Sequence, residues 1–247
     1  MSLRINENNI YRVPSKLPFF DKSKDDSMTD DFTLFARVKI MNQEVLEGLD
    51  KFVIARNGAH SGISIVKDDY NYNVYVQYSY WFWEKNAKKD ILDVQQVHFK
   101  LEEDLLDTYL DLWMVNNKEE SKIECYCNSE LVGTMNYEGK LKAFYDDAPY
   151  WFGCSTMFGE GDRQVGDFEY GIAFSIRKAL SVEEVKDLLE NYRTKHSIPV
   201  FGKYAAFKPD WELTKYFTFF CDFKDTNRYK VWNYAFNGYY PELFIKD

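Results

Sequence analysis

Residues 30–40 read Asp30-Asp31-Phe32-Thr33-Leu34-Phe35-Ala36-Arg37-Val38-Lys39-Ile40. Phe32, Leu34, Ala36, Val38 and Ile40 alternate with Thr33, Phe35, Arg37 and Lys39, which is the period-two pattern of a strand with one buried face. Similar runs follow at 51–56, 62–66, 73–83, 97–100, 105–115, 122–128, 131–137, 150–156 and 167–176. Turn-rich pieces such as Arg56-Asn57-Gly58, Asn116-Asn117-Lys118 and Gly159-Glu160-Gly161-Asp162 separate them. Many short strands with turns between them predict an all-β protein, a two-sheet antiparallel jelly-roll sandwich, rather than βαβ units. One short helix is expected after the closing strand. Ser181-Val182-Glu183-Glu184 forms a capping box, and Val182, Val185, Leu188, Leu189 and Tyr192 make one apolar stripe behind it.

Composition narrows the class. The chain has 247 residues, 45% of them hydrophobic and 18% aromatic, enough for a large core and too apolar for disorder. Forty acidic against 31 basic residues give a net charge of −9, which leaves no positive field for a phosphate backbone, so no nucleic-acid partner is expected. Lys85, Lys88 and Lys89 sit in a mixed, solvated loop and form no basic patch. The sequence has no run of about 18 apolar residues, and residues 1–11 lack the basic and apolar regions of a signal peptide. The expectation is a protein without membrane insertion, in the cytoplasm or a virus particle rather than secreted. Cys125 and Cys127 are two apart, roughly 6.6 Å on a strand with parallel Cβ vectors. With Cys154 and Cys221 they are read as buried free thiols. His60, His98 and His196 are too scattered for a zinc set.

Residues 1–196 form the predicted jelly roll and 197–247 an aromatic-rich arm. Sixteen of those last 51 residues are Phe, Tyr or Trp, well above the 18% of the whole chain. So large an apolar segment is expected to fold back onto the same domain, with part of it open to an oligomer or assembly contact.

The stretch from Thr29 to Lys39 resembles the opening strand of laminin-G-like and pentraxin-like domains, in the concanavalin A-like lectin and glucanase superfamily. The stretch from Gly166 to Glu184 resembles that group's closing strand and the turn leading into its helix. These two matches bracket about residues 20–192. The resemblance implies two antiparallel sheets face to face, ligands on a sheet face, and calcium in some members. Asp68 and Asp69 in one loop and Asp146 and Asp147 in another carry suitable oxygen ligands for calcium, and are equally ordinary turn residues. No other cofactor is expected.

Strand parity then selects candidate ligand-binding residues. Tyr75, Gln77, Trp81 and Trp83 share one face of 73–83; Asp107, Tyr109, Asp111 and Trp113 share one face of 105–115; Glu124 and Tyr126 share one face of 122–128. Aromatic rings that stack on sugar C–H faces, beside carboxylates and amides that bond hydroxyls, suit a glycan. The same residues also suit a packed outer surface. The superfamily's glucanase motif Glu-x-Asp-x-Glu has only Asp107-x-Tyr109-x-Asp111 as a counterpart. Its ends lie roughly 13 Å apart on a regular strand, beyond the about 5 to 9.5 Å of glycosidase pairs. Asn57-Gly58-Ala59-His60-Ser61-Gly62 is read as a hairpin turn, and no catalytic residue is assigned. Three readings follow: a non-catalytic carbohydrate-binding module, a structural or assembly protein, and a glycoside hydrolase.

Overall fold

The computed structural model describes residues 3–5, 10–13, 31–46, 51–56, 61–84, 91–138, 140–141, 150–154, 165–195, 216–227, 230–233 and 242–244. In chain order its strands are β1 (Leu3–Ile5), β2 (Ile10–Val13), β3 (Phe32–Ile40), β4 (Lys51–Arg56), β5 (Gly62–Lys67), β6 (Val74–Glu84), β7 (Ile91–Lys100), β8 (Leu110–Asn117), β9 (Lys122–Cys127), β10 (Glu130–Asn136), β11 (Lys140–Leu141), β12 (Tyr150–Phe152) and β13 (Phe168–Ile176). Helix α1 (Val182–Lys195) follows, then β14 (Phe217–Asn227), β15 (Lys230–Asn233) and β16 (Glu242–Phe244). One sheet runs β10-β9-β8-β3-β13-β14, and the other carries β12-β4-β5-β6 with β7 on β6. Pairing continues β14-β15-β16-β2-β12 and joins the two sheets along one side. Every pairing is antiparallel. The expected two-sheet sandwich is therefore present.

Alternation builds the core between the sheets. Phe32, Leu34, Ala36 and Val38 of β3, Leu110, Leu112 and Met114 of β8, and Ile123, Cys125 and Cys127 of β9 meet Ile63 and Ile65 of β5 and Val76, Tyr78 and Tyr80 of β6. Buried tyrosines bring hydroxyls into this layer and find partners for them there, as burial requires. Tyr78 donates to the Tyr126 carbonyl at 2.5 Å, Tyr170 donates to the Val53 carbonyl, and Tyr150 pairs with Ser175 at 3.3 Å.

The first sheet is also packed on its outer face. Phe35, Trp113, Val115, Phe174, Ile176, Phe217 and Phe220 form a second cluster with Leu180, Val185 and Leu188. The helix is there because of its cap: Glu184 N–H donates to Ser181 Oγ at 3.2 Å, and Ser181 N–H donates to Glu184 Oε2 at 2.9 Å. Thr33 ties strand to helix entry, donating to the Lys178 carbonyl and accepting from Leu180 N–H.

Several boundaries differ from the sequence reading. β1 and β2 precede Asp31 and pair with β13 and β12, where no strand was expected. Three and four residues are too few to display a period. β7 begins at Ile91, six residues before the expected Val97. β8 begins at Leu110, because Glu103–Leu105 forms a 3-10 turn closed by Leu105 N–H to Glu102 O and Leu106 N–H to Glu103 O. The leucines at 105 and 106 belong to that turn, not to a strand. β9 ends at Cys127, since Asn128 and Ser129 turn the chain with φ of 50° and 70°. In β5, Gly62 has φ of 146°, and a Cβ there would lie 2.1 Å from the Ile54 carbonyl oxygen.

All four cysteines are free and buried. Burial raises the thiols of Cys125 and Cys221, and pushes Cys127 up to about 12. At pH 8 a thiol reagent is expected to titrate none of them in the native protein and all four after denaturation. Trp113→Ala is expected to lower the unfolding free energy by about 3–5 kcal/mol and Ser181→Ala by about 1 kcal/mol, both read from urea transitions.

Candidate functional site

The structure divides the sequence-predicted residues between opposite sides of the sandwich. Asp111 and Trp113 of β8 and Glu124 and Tyr126 of β9 point outward from the first sheet, away from the core cluster of Leu110, Leu112 and Met114. Tyr75, Gln77 and Trp81 point outward from the second sheet, opposite in parity to Val76, Tyr78 and Tyr80. Trp83 lies further along β6, in register with Leu92. The three strands therefore do not form one common face.

On the first sheet the face is closed by packing. Trp113 is 1% exposed, held in the cluster under α1 with Tyr126 stacked on it at 4.1 Å between ring centroids. Parity placed Trp113 correctly on the outer face, but the apolar stripe of α1 occupies that half. Below it, Arg37 grips Asp111 with two bonds, Nε to Oδ1 at 2.6 Å and Nη2 to Oδ2 at 2.7 Å. Gly171 makes room, since a Cβ there would meet Arg37 Cδ at 3.1 Å. Tyr126 donates to Glu124 Oε2 at 2.8 Å, and Lys122 bonds Glu124 at 2.8 Å. Burial and the Glu124 carboxylate push the Tyr126 phenol up to about 12. Tyr109 precedes β8 and donates to Glu169 Oε1 at 2.7 Å. Asp107 is exposed in the turn before the strand, so Asp107 and Asp111 are not the ends of one regular strand segment. These polar groups bond one another.

The second sheet presents a different surface. On its outer side Phe52, Ser64, Gln77 and Ser79 are buried, while Tyr75 and Trp81 are half-buried and Gln96, His98 and Lys100 of β7 are exposed. Register places Lys100 opposite Tyr75, His98 opposite Gln77 and Gln96 opposite Ser79. His98 Nε2 and Gln77 Oε1 lie 2.6 Å apart, which fixes the imidazole between the two aromatic side chains of β6. Ser64 Oγ and Ser79 Oγ have no hydrogen-bond partner among the described residues. Gln96, His98 and Lys100 share this face and are outside the set predicted from the sequence. The alternation Val94, Gln96, His98, Lys100 against Gln95, Val97, Phe99 was the available signal, visible once the strand is extended back to Ile91.

For calcium, Asp68 closes the β5–β6 hairpin. Its Oδ1 accepts the Tyr70 N–H at 2.8 Å and its carbonyl accepts the Tyr72 N–H at 2.9 Å, with Tyr72 at φ of 58°. Asp69 is exposed beside it, and Asp146 and Asp147 lie outside the described residues. Among the described residues no three His, Cys, Asp or Glu side chains gather as metal ligands. Asp68 and Asp69 stand in this turn, and among the described residues no third acid gathers on them. No described helix is long and apolar enough to cross a membrane.

No protein-family model matches the chain, and no curated protein matches its sequence. Solved structures do match its fold. A proposed carbohydrate binding protein from Bacteroides ovatus is similar at a TM-score of 0.54 and 10% identity, over 99% of this chain and 60% of that one. A heptameric pentraxin from Limulus polyphemus matches at 0.41 and 11% identity, over 76% of this chain and 75% of that one. The CBM40 module of a Ruminococcus gnavus sialidase matches at 0.45 and 13% identity, over 74% and 95%. The chain spans about three-fifths of the Bacteroides protein's length. Its fold is the concanavalin A-like sandwich.

The Arg37–Asp111 pair is partly exposed, with side chains 34% and 20% accessible. A double-mutant cycle with Arg37→Ala and Asp111→Ala is expected to give a coupling of about 0.5–1 kcal/mol, falling as salt is raised.

Proposed function

We propose that the protein is a non-catalytic carbohydrate-recognition module whose ligand lies along the outer face of β6 and β7. The observation that carries this reading is the arrangement on that face. Tyr75 and Trp81 stand six residues apart, roughly 20 Å along the strand, with the hydrogen-bonded Gln77 and His98 between them. Half-buried rings offer flat apolar area at little entropic cost, and the exposed His98 imidazole, fixed by the buried Gln77 amide, discriminates hydroxyl positions. A span of that length accommodates several pyranose rings, so the ligand is an oligosaccharide. The similarity in fold to the Bacteroides ovatus protein, itself proposed to bind carbohydrate, supports the same class.

The first sheet is the weaker candidate because α1 covers Trp113 and its polar residues pair internally. The hydrolase reading loses its basis as well: Asp107 lies off the strand, and the Asp111 carboxylate is taken by Arg37. Assembly through the C-terminal arm is constrained by β14, which sits between β13 and β15 inside the first sheet. Deleting residues 210–247 would remove that sheet strand along with any partner surface.

On a glycan array followed by calorimetry, Tyr75→Ala and Trp81→Ala are each expected to weaken binding at least about tenfold, a loss of roughly 1.4 kcal/mol. Native near-ultraviolet dichroism should be kept. Retention of full affinity by both variants would defeat the proposal. Because the polar groups described on β6 and β7 of this face are amide, imidazole, hydroxyl and the Lys100 ammonium, binding is expected to survive EDTA, as read in the same calorimeter.

A further inference from the structure

Open strand edges are few in this fold. Among the described residues β7 pairs with β6 alone and β10 with β9 alone, while β1 and β11, also paired on one side, are three and two residues long. β10 is closed off by its neighbour. Its ladder shifts register between Leu131 and Gly133, the Asn136 carbonyl accepts from Gln95 Nε2 at 2.6 Å, and a Cβ on Gly133 would lie 2.5 Å from Val97 Cγ1. β7 has no such protection over its second half. Leu101 N–H donates to the Val74 carbonyl at 2.8 Å. By the two-residue alternation of an antiparallel ladder, Gln95, Val97 and Phe99 then bond β6, and the N–H and C=O groups of Val94, Gln96, His98 and Lys100 point away from it. Asp93 Oδ1 takes the Val94 N–H at 2.7 Å. Among the described residues nothing takes those of Gln96, His98 and Lys100, whose side chains are exposed. The strand has no proline and no register shift against β6.

We propose that β7 pairs with β7 of a second copy of this chain, antiparallel about a twofold axis normal to the sheet. A straight edge of unbonded amides is a template for another strand, and soluble proteins blunt such edges unless they use them. An antiparallel copy offers the same free residues in reverse order. With the axis at Val97, Gln96 of each chain exchanges both backbone bonds with His98 of the other, and Lys100 stands opposite Val94. Charge sets the direction. Glu102, Glu103 and Asp104 follow β7 and are exposed, so a parallel copy would lay acid against acid. The antiparallel copy keeps the two acidic turns at opposite ends of the joint ladder, each toward the end where the other chain enters β7, an entry preceded in sequence by Lys85, Lys88 and Lys89 as well as Glu84 and Asp90. Apolar surface lies alongside. Gly133 is level with Val97 and Asn136 with Gln95, so β10 runs toward Leu131, 55% exposed, as β7 runs toward its free half. Pairing also closes the assembly at two chains, because β10 is already blocked and no other long edge is open among the described residues. Dimerisation through β7 does not depend on the glycan reading. The twofold axis would leave both rows from Tyr75 to Trp81 on one side of the joint sheet.

The test is sedimentation velocity on the intact chain over a concentration series, with amide hydrogen exchange measured at its dilute and concentrated ends. The mass is expected to rise from one chain to two and stop there. The amides of Gln96, His98 and Lys100 should gain protection of about tenfold or more with concentration, while those of Val97 and Phe99, bonded to β6, exchange slowly throughout. Gln96→Pro removes one edge N–H and no bond to β6, which is where a strand tolerates proline. It should weaken dimerisation at least about tenfold. Leu131→Glu, on an exposed side chain of β10, should weaken it too, and serves in its place if the melting temperature shows that Gln96→Pro fails to fold. A monomer at every concentration overturns the proposal. So does a dimer that the folded variants leave intact, or a mass that grows past two chains. A monomer whose Gln96, His98 and Lys100 amides become protected only on adding a peptide selected from a random library also overturns it, since the edge would then be a peptide site.

Discussion

The structure depends on burying β3 from both sides. Phe32, Leu34, Ala36 and Val38 face the second sheet, while Phe35 faces α1, and every residue from Phe32 to Ala36 is buried. A strand covered on one face alone would leave Phe35, Trp113, Phe174 and Phe220 in water, a contiguous apolar patch of a size soluble proteins rarely expose. Helix α1 is therefore a structural necessity, and the capping box that starts it fixes where the cover begins. The same cover disposes of this face as a ligand platform over the half it occupies. The site proposed above lies on the other sheet, on which α1 does not pack, so its location is tied to the packing of a strand in the first sheet.

Much of this was legible in the sequence. The alternation in 32–40 and the capping box at Ser181 and Glu184 needed no tertiary information, because the first is a matter of which Cβ atoms share a side and the second of contacts within four residues. The sandwich architecture follows from them with the spacing of the other strands. Parity also sorted Tyr75, Gln77 and Trp81 from Val76, Tyr78 and Tyr80 correctly.

Parity could not report what lies opposite an outward side chain. Trp113 and Trp81 are alike in sequence, each set among polar neighbours on an outward face, yet one lies under a helix some 70 residues away in the chain. The mistaken start of β8 has a local cause. Leu105 and Leu106 continue the apolar rhythm of Leu110 and Leu112 by chance of spacing, but backbone bonds within 102–108 close a turn first. The late start assigned to β7 has the opposite cause, since Asp93, Gln95 and Gln96 read as loop in a strand that lies at the end of its sheet and tolerates polar residues on both sides.

The pairing of β6 has a mechanical consequence. The ladders of β3 with β13, β4 with β5, β9 with β10 and β14 with β15 each contain a register shift, where strands bend and twist locally. β6 matches β7 over ten consecutive residues and β5 over six without one. Two side chains mounted on such a ladder keep their separation as the rest of the sandwich flexes. For the proposed ligand, the distance from Tyr75 to Trp81 would then work as a fixed ruler: a chain whose repeat fits its graduations would meet both marks together, and one of a different repeat would meet them in turn.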